Sequence, residues 1–163
     1  MKRLSQRAVA YARARWSFAV KGPPPARLVN VGPREADDML VLGAGAFVAL
    51  ERLDRDVIAL IKRERIAERA PMTHGGVIGQ VWRGGAGRQA NLARFLPGIE
   101  VAAIDEQFGR KIGLLLAQTR TSDVVDAAVA LLAKDGDEIL TSDTRDLRPL
   151  VKATGAHVDL IQV

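Results

Sequence analysis

The chain has 163 residues, which is enough for one domain with a hydrophobic core and a tail. Hydrophobic residues make up 48% and aromatic residues 4%, so the core must be built from aliphatic side chains. The absence of cysteine excludes disulfides, thiolate metal sites and cysteine nucleophiles, and it is compatible with a reducing cytoplasm. No apolar run approaches the roughly 20 residues of a membrane span, so we expect a cytoplasmic protein without membrane segments.

The formal net charge of +5 is concentrated near the N-terminus. Residues 1–37 carry +6 and contain the run GPPP, which stops a helix and favours an extended conformation. Residues 38–163 carry −1. We therefore interpret residues 1–37 as a basic, poorly ordered extension and residues 38–163 as one domain. The alternatives for the extension are a basic arm that touches nucleic acid, or a translation start at Met39 that leaves it out of the native protein.

From residue 39 onwards, apolar periodicity and turn residues predict strands that alternate with helices. The predicted strands are 39–42, 100–104, 138–141 and 157–163. The predicted helices are 45–53, 55–69, 75–82, 88–96, one from Asp105 to about 118, one after Asp123, and one capped by Asp146 with Pro149 in its first turn. Such alternation predicts a three-layer α/β/α domain with a central parallel sheet, whose ligands collect at the carboxyl ends of the strands.

The candidates for chemistry lie in TSDVVDAAVALLAKDGDEILTSDTRD, residues 121–146. Asp123 and Asp126 open an apolar helix, and Asp143 follows the strand 138–141. A strand end and a helix start can bring these acids to one edge of the fold, where Mg²⁺ or Mn²⁺ would find the oxygen ligands it prefers. The alternative is that Asp123 and Asp143 are only helix caps, with Asp126 and Asp146 as first-turn acids favoured by the helix dipole.

Four segments give residues 39–163 a resemblance to a known family: MLVLGAGAFVALE, GQVWRGGAGRQANLARFL, TSDVVDAAVALLA and ILTSDTRDLRPL. In their order and spacing they resemble the PIN-domain ribonucleases, and among these the VapC-type toxins of bacterial toxin–antitoxin pairs. The resemblance implies a PIN-like α/β/α fold, an acidic cluster that binds Mg²⁺ or Mn²⁺, and hydrolysis of an RNA phosphodiester by a metal-activated water. It also implies a cognate antitoxin protein and a homodimer.

The chain departs from the family pattern at two positions. Gly43 stands where the first strand of the family ends in an aspartate, and Gln80 stands where the second acid is usually glutamate. Asp37 and Asp38 cannot replace the missing acid, because they precede the strand and reach the opposite end. Asp123, Asp126 and Asp143 remain as strong ligands, and Gln80 offers a neutral oxygen. Because a central carboxylate is missing, we expect weak or absent nuclease activity.

Other residues around this edge have weaker signals. Thr141 and Ser142 are candidates for hydrogen bonds to the acids or to a metal-bound water. Arg83 and Arg88 flank a glycine-rich turn and would either contact RNA phosphates or form solvated surface. The two histidines of the chain lie far apart without ligand spacing, and we interpret both as structural.

Two other classes of function stay open. The segment GAGAFV resembles a dinucleotide-binding turn, but Val48 takes the place of the third glycine and the acid expected about twenty residues later is missing. A non-catalytic domain that binds an antitoxin or RNA is the other alternative, since an acidic cluster short of metal would still attract an arginine or lysine of a partner.

Overall fold

The computed structural model describes residues 26–31, 38–84 and 89–163. The strands are β1 (Arg27–Val29), β2 (Leu40–Leu42), β3 (Met72–His74), β4 (Glu100–Ala102), β5 (Glu138–Thr141) and β6 (Asp159–Gln162). The helices are α1 (Ala44–Glu51), α2 (Arg55–Ile66), α3 (Gly75–Val81), α4 (Ala90–Phe95), α5 (Glu106–Thr119), α6 (Val124–Leu132) and α7 (Thr144–Thr154). A 3₁₀ turn, Leu96–Gly98, follows α4.

The six strands form one sheet in the order β1-β4-β3-β2-β5-β6, and every neighbouring pair is parallel. Helix α1 packs against α2, α3 and α4, whereas α5, α6 and α7 pack against one another. Two groups of helices on a parallel sheet are consistent with a three-layer α/β/α arrangement, so the predicted fold class is confirmed.

The direction of the chain across the sheet explains these two groups. From β2 the chain moves through β3 to β4, and α5 and α6 then carry it back to β5 and β6. Because crossovers between parallel strands are right-handed, this reversal places α1–α4 and α5–α7 on opposite faces. The connections that leave the neighbouring strands β2 and β5 therefore run in opposite directions across the sheet. Ligands of open α/β sheets bind outside the carboxyl ends of strands at such a point.

The core is aliphatic around these central strands, as composition requires. All three residues of β2 are fully buried, and Phe47 and Leu50 of α1 cover one face. On α6, four consecutive residues from Ala127 to Ala130 are fully buried. Their small side chains let α6 contact β2 and β3 closely. The helix that begins at Asp123 is therefore held firmly against the middle of the sheet.

Two strands lie where the sequence predicted none. Arg27–Val29 falls inside the range interpreted as an extension, yet it pairs with β4 in the register Arg27↔Glu100. Residues 1–25 and 32–37, and so the prediction of poor order for them, lie outside the described residues. The strand Met72–His74 was missed because it has only three residues and two of them, Thr and His, are polar although all three are buried. Both short strands are defined by their neighbours in the sheet and not by their own pattern.

The start of α7 also differs from the prediction. Asp143, not Asp146, caps this helix, and its carboxylate accepts the Asp146 N–H at 3.0 Å. Pro149 consequently lies in the second turn of the helix and not in the first. At this interior position it removes one backbone hydrogen bond. Gly155 ends the helix with a φ of 79°, as its position predicted. Among the helices of the described residues, none combines the length and apolarity that crossing a bilayer requires.

Candidate acidic site

The carboxyl ends of β2 and β5 are joined through Gly43 and Gly45. The Gly43 N–H donates to the Leu140 carbonyl at 2.9 Å, which extends the β2–β5 ladder by one residue. At Gly45 a Cβ would lie 2.6 Å from both Cβ and Oγ of Ser142, so no side chain fits there. The first turn of α1 is therefore pressed directly against the end of β5.

Asp123 and Asp126 lie at the start of α6. Asp123 is the N-cap, and its Oδ1 accepts the N–H of Val125 at 2.8 Å and of Asp126 at 3.0 Å. The Asp126 side chain is half-buried in the first turn, and within the described residues it has neither a hydrogen-bond partner nor a counterion. The predicted capping role of Asp123 is confirmed, and Asp126 is a carboxylate with little compensation.

Asp143 follows β5 and caps α7. Its own N–H donates to the Thr141 Oγ1 at 3.0 Å, and Thr141 is buried at the end of the strand. Thr141 thus fixes the turn that presents Asp143, while Ser142 is exposed beside Gly45. Asp143 and Asp146 are both exposed.

The electrostatics connect the two helix starts. Burial, followed by the charges of Asp123, Asp143 and Asp146, raises the pKa of Asp126 from its usual value of 3.8 to about 6. Acids from α6 and from α7 therefore act on the same carboxylate. Capping and clustering are not exclusive: Asp123 and Asp143 cap with Oδ1, and no hydrogen bond of the described residues uses their Oδ2.

The implied Mg²⁺ or Mn²⁺ fits this site in chemistry but only partly in spacing. The half-buried, uncompensated Asp126 and the Oδ2 atoms of Asp123 and Asp143 are hard anionic donors of the kind these cations prefer. Across residues 26–31, 38–84 and 89–163, however, no three acidic or histidine side chains converge closely enough to hold a metal ion. The acids lie near enough to repel one another without forming a complete set of ligands.

Gly43 and Gln80 add no charge to this edge. Gly43 ends β2 with a φ of −84°, which any residue adopts. Asp38 cannot replace the missing acid. A Cβ at Gly136, just before β5, would collide with Oδ1 of Asp38. Asp38 therefore lies at the amino end of the sheet, as expected. Gln80 is exposed on α3, and no hydrogen bond among the described residues joins it to an aspartate.

The arginines predicted to meet RNA have different outcomes. The Arg83 guanidinium is exposed, and its Nη1 donates to the carbonyls of Gly79 and Trp82, each at 3.1 Å. These bonds hold Arg83 along the end of α3. Arg88 lies outside the described residues. Within the described residues, the hydrogen bonds of the Arg83 guanidinium go to these carbonyls and not to the acids.

Sequence reasoning missed the role of Gln89. This buried side chain accepts the N–H groups of Arg83 and Gly84 at 2.8 and 2.9 Å, and it donates to the Val81 carbonyl at 2.7 Å. It therefore satisfies the backbone at the end of α3. A polar residue just after a glycine-rich turn was the available signal.

Comparison of the chain with protein-family models, with curated proteins and with solved structures finds no match.

Proposed function

We propose that this chain is a PIN-like, divalent-metal-dependent endoribonuclease, a VapC-type toxin whose activity Gly43 impairs. The observation that supports the proposal is that the charges of Asp123 on one helix start, and of Asp143 and Asp146 on another, all act on the half-buried Asp126. Asp143 also follows β5, which pairs with β2. This edge is where open α/β sheets bind ligands. Carboxylates without a counterion at such an edge are the oxygen donors that hard divalent cations prefer.

Asp123, Asp126 and Asp143 would hold the Mg²⁺ or Mn²⁺ ion. When bound, the ion would supply an activated water for attack on an RNA phosphodiester. The protein's own residues have separate tasks in this proposal. Thr141 fixes the backbone at Asp143, and Asp123 fixes the first turn of α6. Gln80 would contribute at most a neutral oxygen, and Arg83 would face RNA phosphates if it released the helix end.

In this proposal Gly43 would weaken the activity. A cation gives up hydration when it binds, and the loss must be compensated by anionic oxygens. The end of β2 supplies none, and within the described residues no three acids converge. A carboxylate at residue 43 would stand beside Thr141, because a Cβ there would lie 3.6 Å from Thr141 Oγ1.

The test is a Mn²⁺ titration of the chain and of Gly43→Asp with an unstructured RNA. The backbone permits aspartate, and the tightest contact of its Cβ would be 3.3 Å to the Leu140 carbonyl, which a small shift relieves. We expect Gly43→Asp to bind Mn²⁺ at least tenfold more tightly and to cleave RNA. Gly98→Asp, which adds the same charge where nothing lies within 4 Å, is the control and should change neither. No cleavage by Gly43→Asp at millimolar Mn²⁺ would contradict the nuclease proposal.

The absence of three converging acids in the described residues favours a second candidate. In this alternative the domain is non-catalytic and binds an antitoxin or RNA, with a basic side chain of the partner against Asp126. Co-purification of a small basic partner, together with no cleavage by either the chain or Gly43→Asp, would support it. Sedimentation of the purified chain would separately test the proposed homodimer.

A further inference from the structure

His74 is a fully buried polar residue at the carboxyl end of β3, beside the strand that carries Gly43. Both of its ring nitrogens have partners. Nδ1 accepts the Gly76 N–H at 3.2 Å, and Nε2 lies 3.0 Å from the Val125 carbonyl. Because Nδ1 is an acceptor, the neutral ring carries its proton on Nε2 and donates it to Val125. The ring therefore connects the start of α3 to the first turn of α6.

A second observation, independent of these hydrogen bonds, shows that the connection is close-packed. A Cβ at Gly76 would lie 2.8 Å from Cε1 of His74 and 3.4 Å from Cγ2 of Val125. There is thus no space between the first turn of α3, the imidazole and the first turn of α6. By contrast, nothing lies within 4 Å of a Cβ at Gly79 on the same helix.

Val125 stands between the two acids of α6. Its N–H and that of Asp126 both donate to Asp123 Oδ1, so hydrogen bonds join the residues from 123 to 126 in one turn. Burial lowers the pKa of His74, and the hydrogen bond to the Val125 carbonyl offsets only part of this shift. The lowered pKa keeps the ring neutral. A neutral ring neither competes with a cation nor cancels the charge of the acids.

We infer that His74 is a positioning residue for the acidic site: its buried ring sets where the first turn of α6, and with it Asp123 and Asp126, lies relative to the ends of the central strands. The two hydrogen bonds of the ring go to Val125 and Gly76 and not to either acid, so His74 would act through Val125. The geometric part of this inference stands by itself. Its meaning for cation binding rests on the proposed function.

The test compares two variants that disturb the connection with two matched variants that do not. His74→Leu removes both ring bonds, and Gly76→Ala keeps the ring but pushes it out of place. Thr73→Val removes the neighbouring buried hydrogen bond on β3, which joins Thr73 Oγ1 to the Leu42 carbonyl of β2 at 2.8 Å and not to α6. Gly79→Ala adds a methyl group to α3 in open space.

Amide hydrogen exchange at Val125 and Asp126, measured beside global unfolding in urea, separates positioning from general stability. We expect exchange at these two amides to accelerate at least tenfold beyond the global change in His74→Leu and Gly76→Ala. In Thr73→Val and Gly79→Ala it should follow global stability alone. Equal behaviour of all four variants would overturn the inference. If His74→Leu does not fold, Gly76→Ala against Gly79→Ala decides the question.

Mn²⁺ affinity in the Gly43→Asp background is the second measurement. The inference predicts a loss of at least tenfold for His74→Leu and Gly76→Ala and little change for the two controls. Affinity that is equal in all four variants, despite a loosened first turn, would overturn the link to the cation. If Gly43→Asp itself binds no Mn²⁺, the proposed function fails while the exchange experiment still decides the role of His74.

Discussion

Gly45 lies against Ser142 so closely that a Cβ at residue 45 would stand 2.6 Å from the serine Cβ. Gly45→Ala should therefore destabilise the protein by about 1–3 kcal/mol, because overpacking forces α1 away from β5. Urea unfolding measures the change. Gly113→Ala is the control, since this helical glycine has nothing within 4 Å of its Cβ and should gain about 0.5–1 kcal/mol. A neutral effect of Gly45→Ala would show that the strand end yields easily.

Asp126→Asn should stabilise the protein at neutral pH. The folded-state pKa of about 6 lies above the usual 3.8, so the ionised carboxylate disfavours folding. The contribution of Asp126 to stability should therefore fall as pH rises from about 4 to 6, and it should stay at this lower level above pH 6. The shift corresponds to at most about 3 kcal/mol, and solvent at this half-buried site should reduce it to about 1–2 kcal/mol.

Urea unfolding between pH 4 and pH 8 checks the Asp126 prediction. The gain from Asp126→Asn should be largest above pH 6 and absent near pH 4. Asp56→Asn, at an exposed acid in the first turn of α2, should instead lose a few tenths of a kcal/mol because only the helix dipole is affected. A gain that did not depend on pH would refute the ionised Asp126 carboxylate as its cause.

Substitutions of Asp123 can separate its capping role from a cation-binding role. Asn still caps a helix but carries no charge, whereas Ala does neither. We expect Asp123→Ala to lose about 1 kcal/mol and Asp123→Asn to lose almost none, by thermal unfolding without metal. In the Gly43→Asp background both should weaken Mn²⁺ binding similarly. Full retention of Mn²⁺ affinity in Asp123→Asn would mean that this acid serves only the helix.

Mg²⁺ should lower the pKa of Asp126. A cation near the carboxylate favours its charged form and opposes the repulsion from Asp143 and Asp146. Carbonyl-carbon NMR of the aspartates should show a titration near pH 6 without metal and a lower midpoint at millimolar Mg²⁺. Removal of Mg²⁺ by EDTA should restore the first curve. An identical curve under both conditions would argue for the partner-binding alternative.

The sequence was informative where local pattern and packing agree. β2, β5, α5 and α6 lie close to their predicted ranges, because each combines a sustained apolar pattern with a clear start or stop. Asp105 caps α5 as predicted, accepting the Phe108 N–H at 2.8 Å. These features depend on neighbours along the chain. The parallel, three-layer fold followed from their alternation.

What the sequence left out depends on residues far apart in the chain. His74 was interpreted as structural, but its hydrogen bond to Val125 joins residues 51 positions apart, and no local sequence pattern predicts it. The raised pKa of Asp126 likewise depends on how α6 and α7 meet. β3 is too short to show alternation, and its place is set by β2 and β4. Convergence of the acids on a metal stays a prediction.

The pairing of β2 with β5 has a consequence for the newly made chain. The Gly43 amide meets Leu140 only after almost a hundred further residues have been synthesised. A nascent fragment that ends before Asp143 contains the start of α6 but not that of α7, so it holds only part of the acidic edge. Whatever the acidic edge binds, it can bind at this complete edge only after the segment with β5 and Asp143 has been made and has paired with β2.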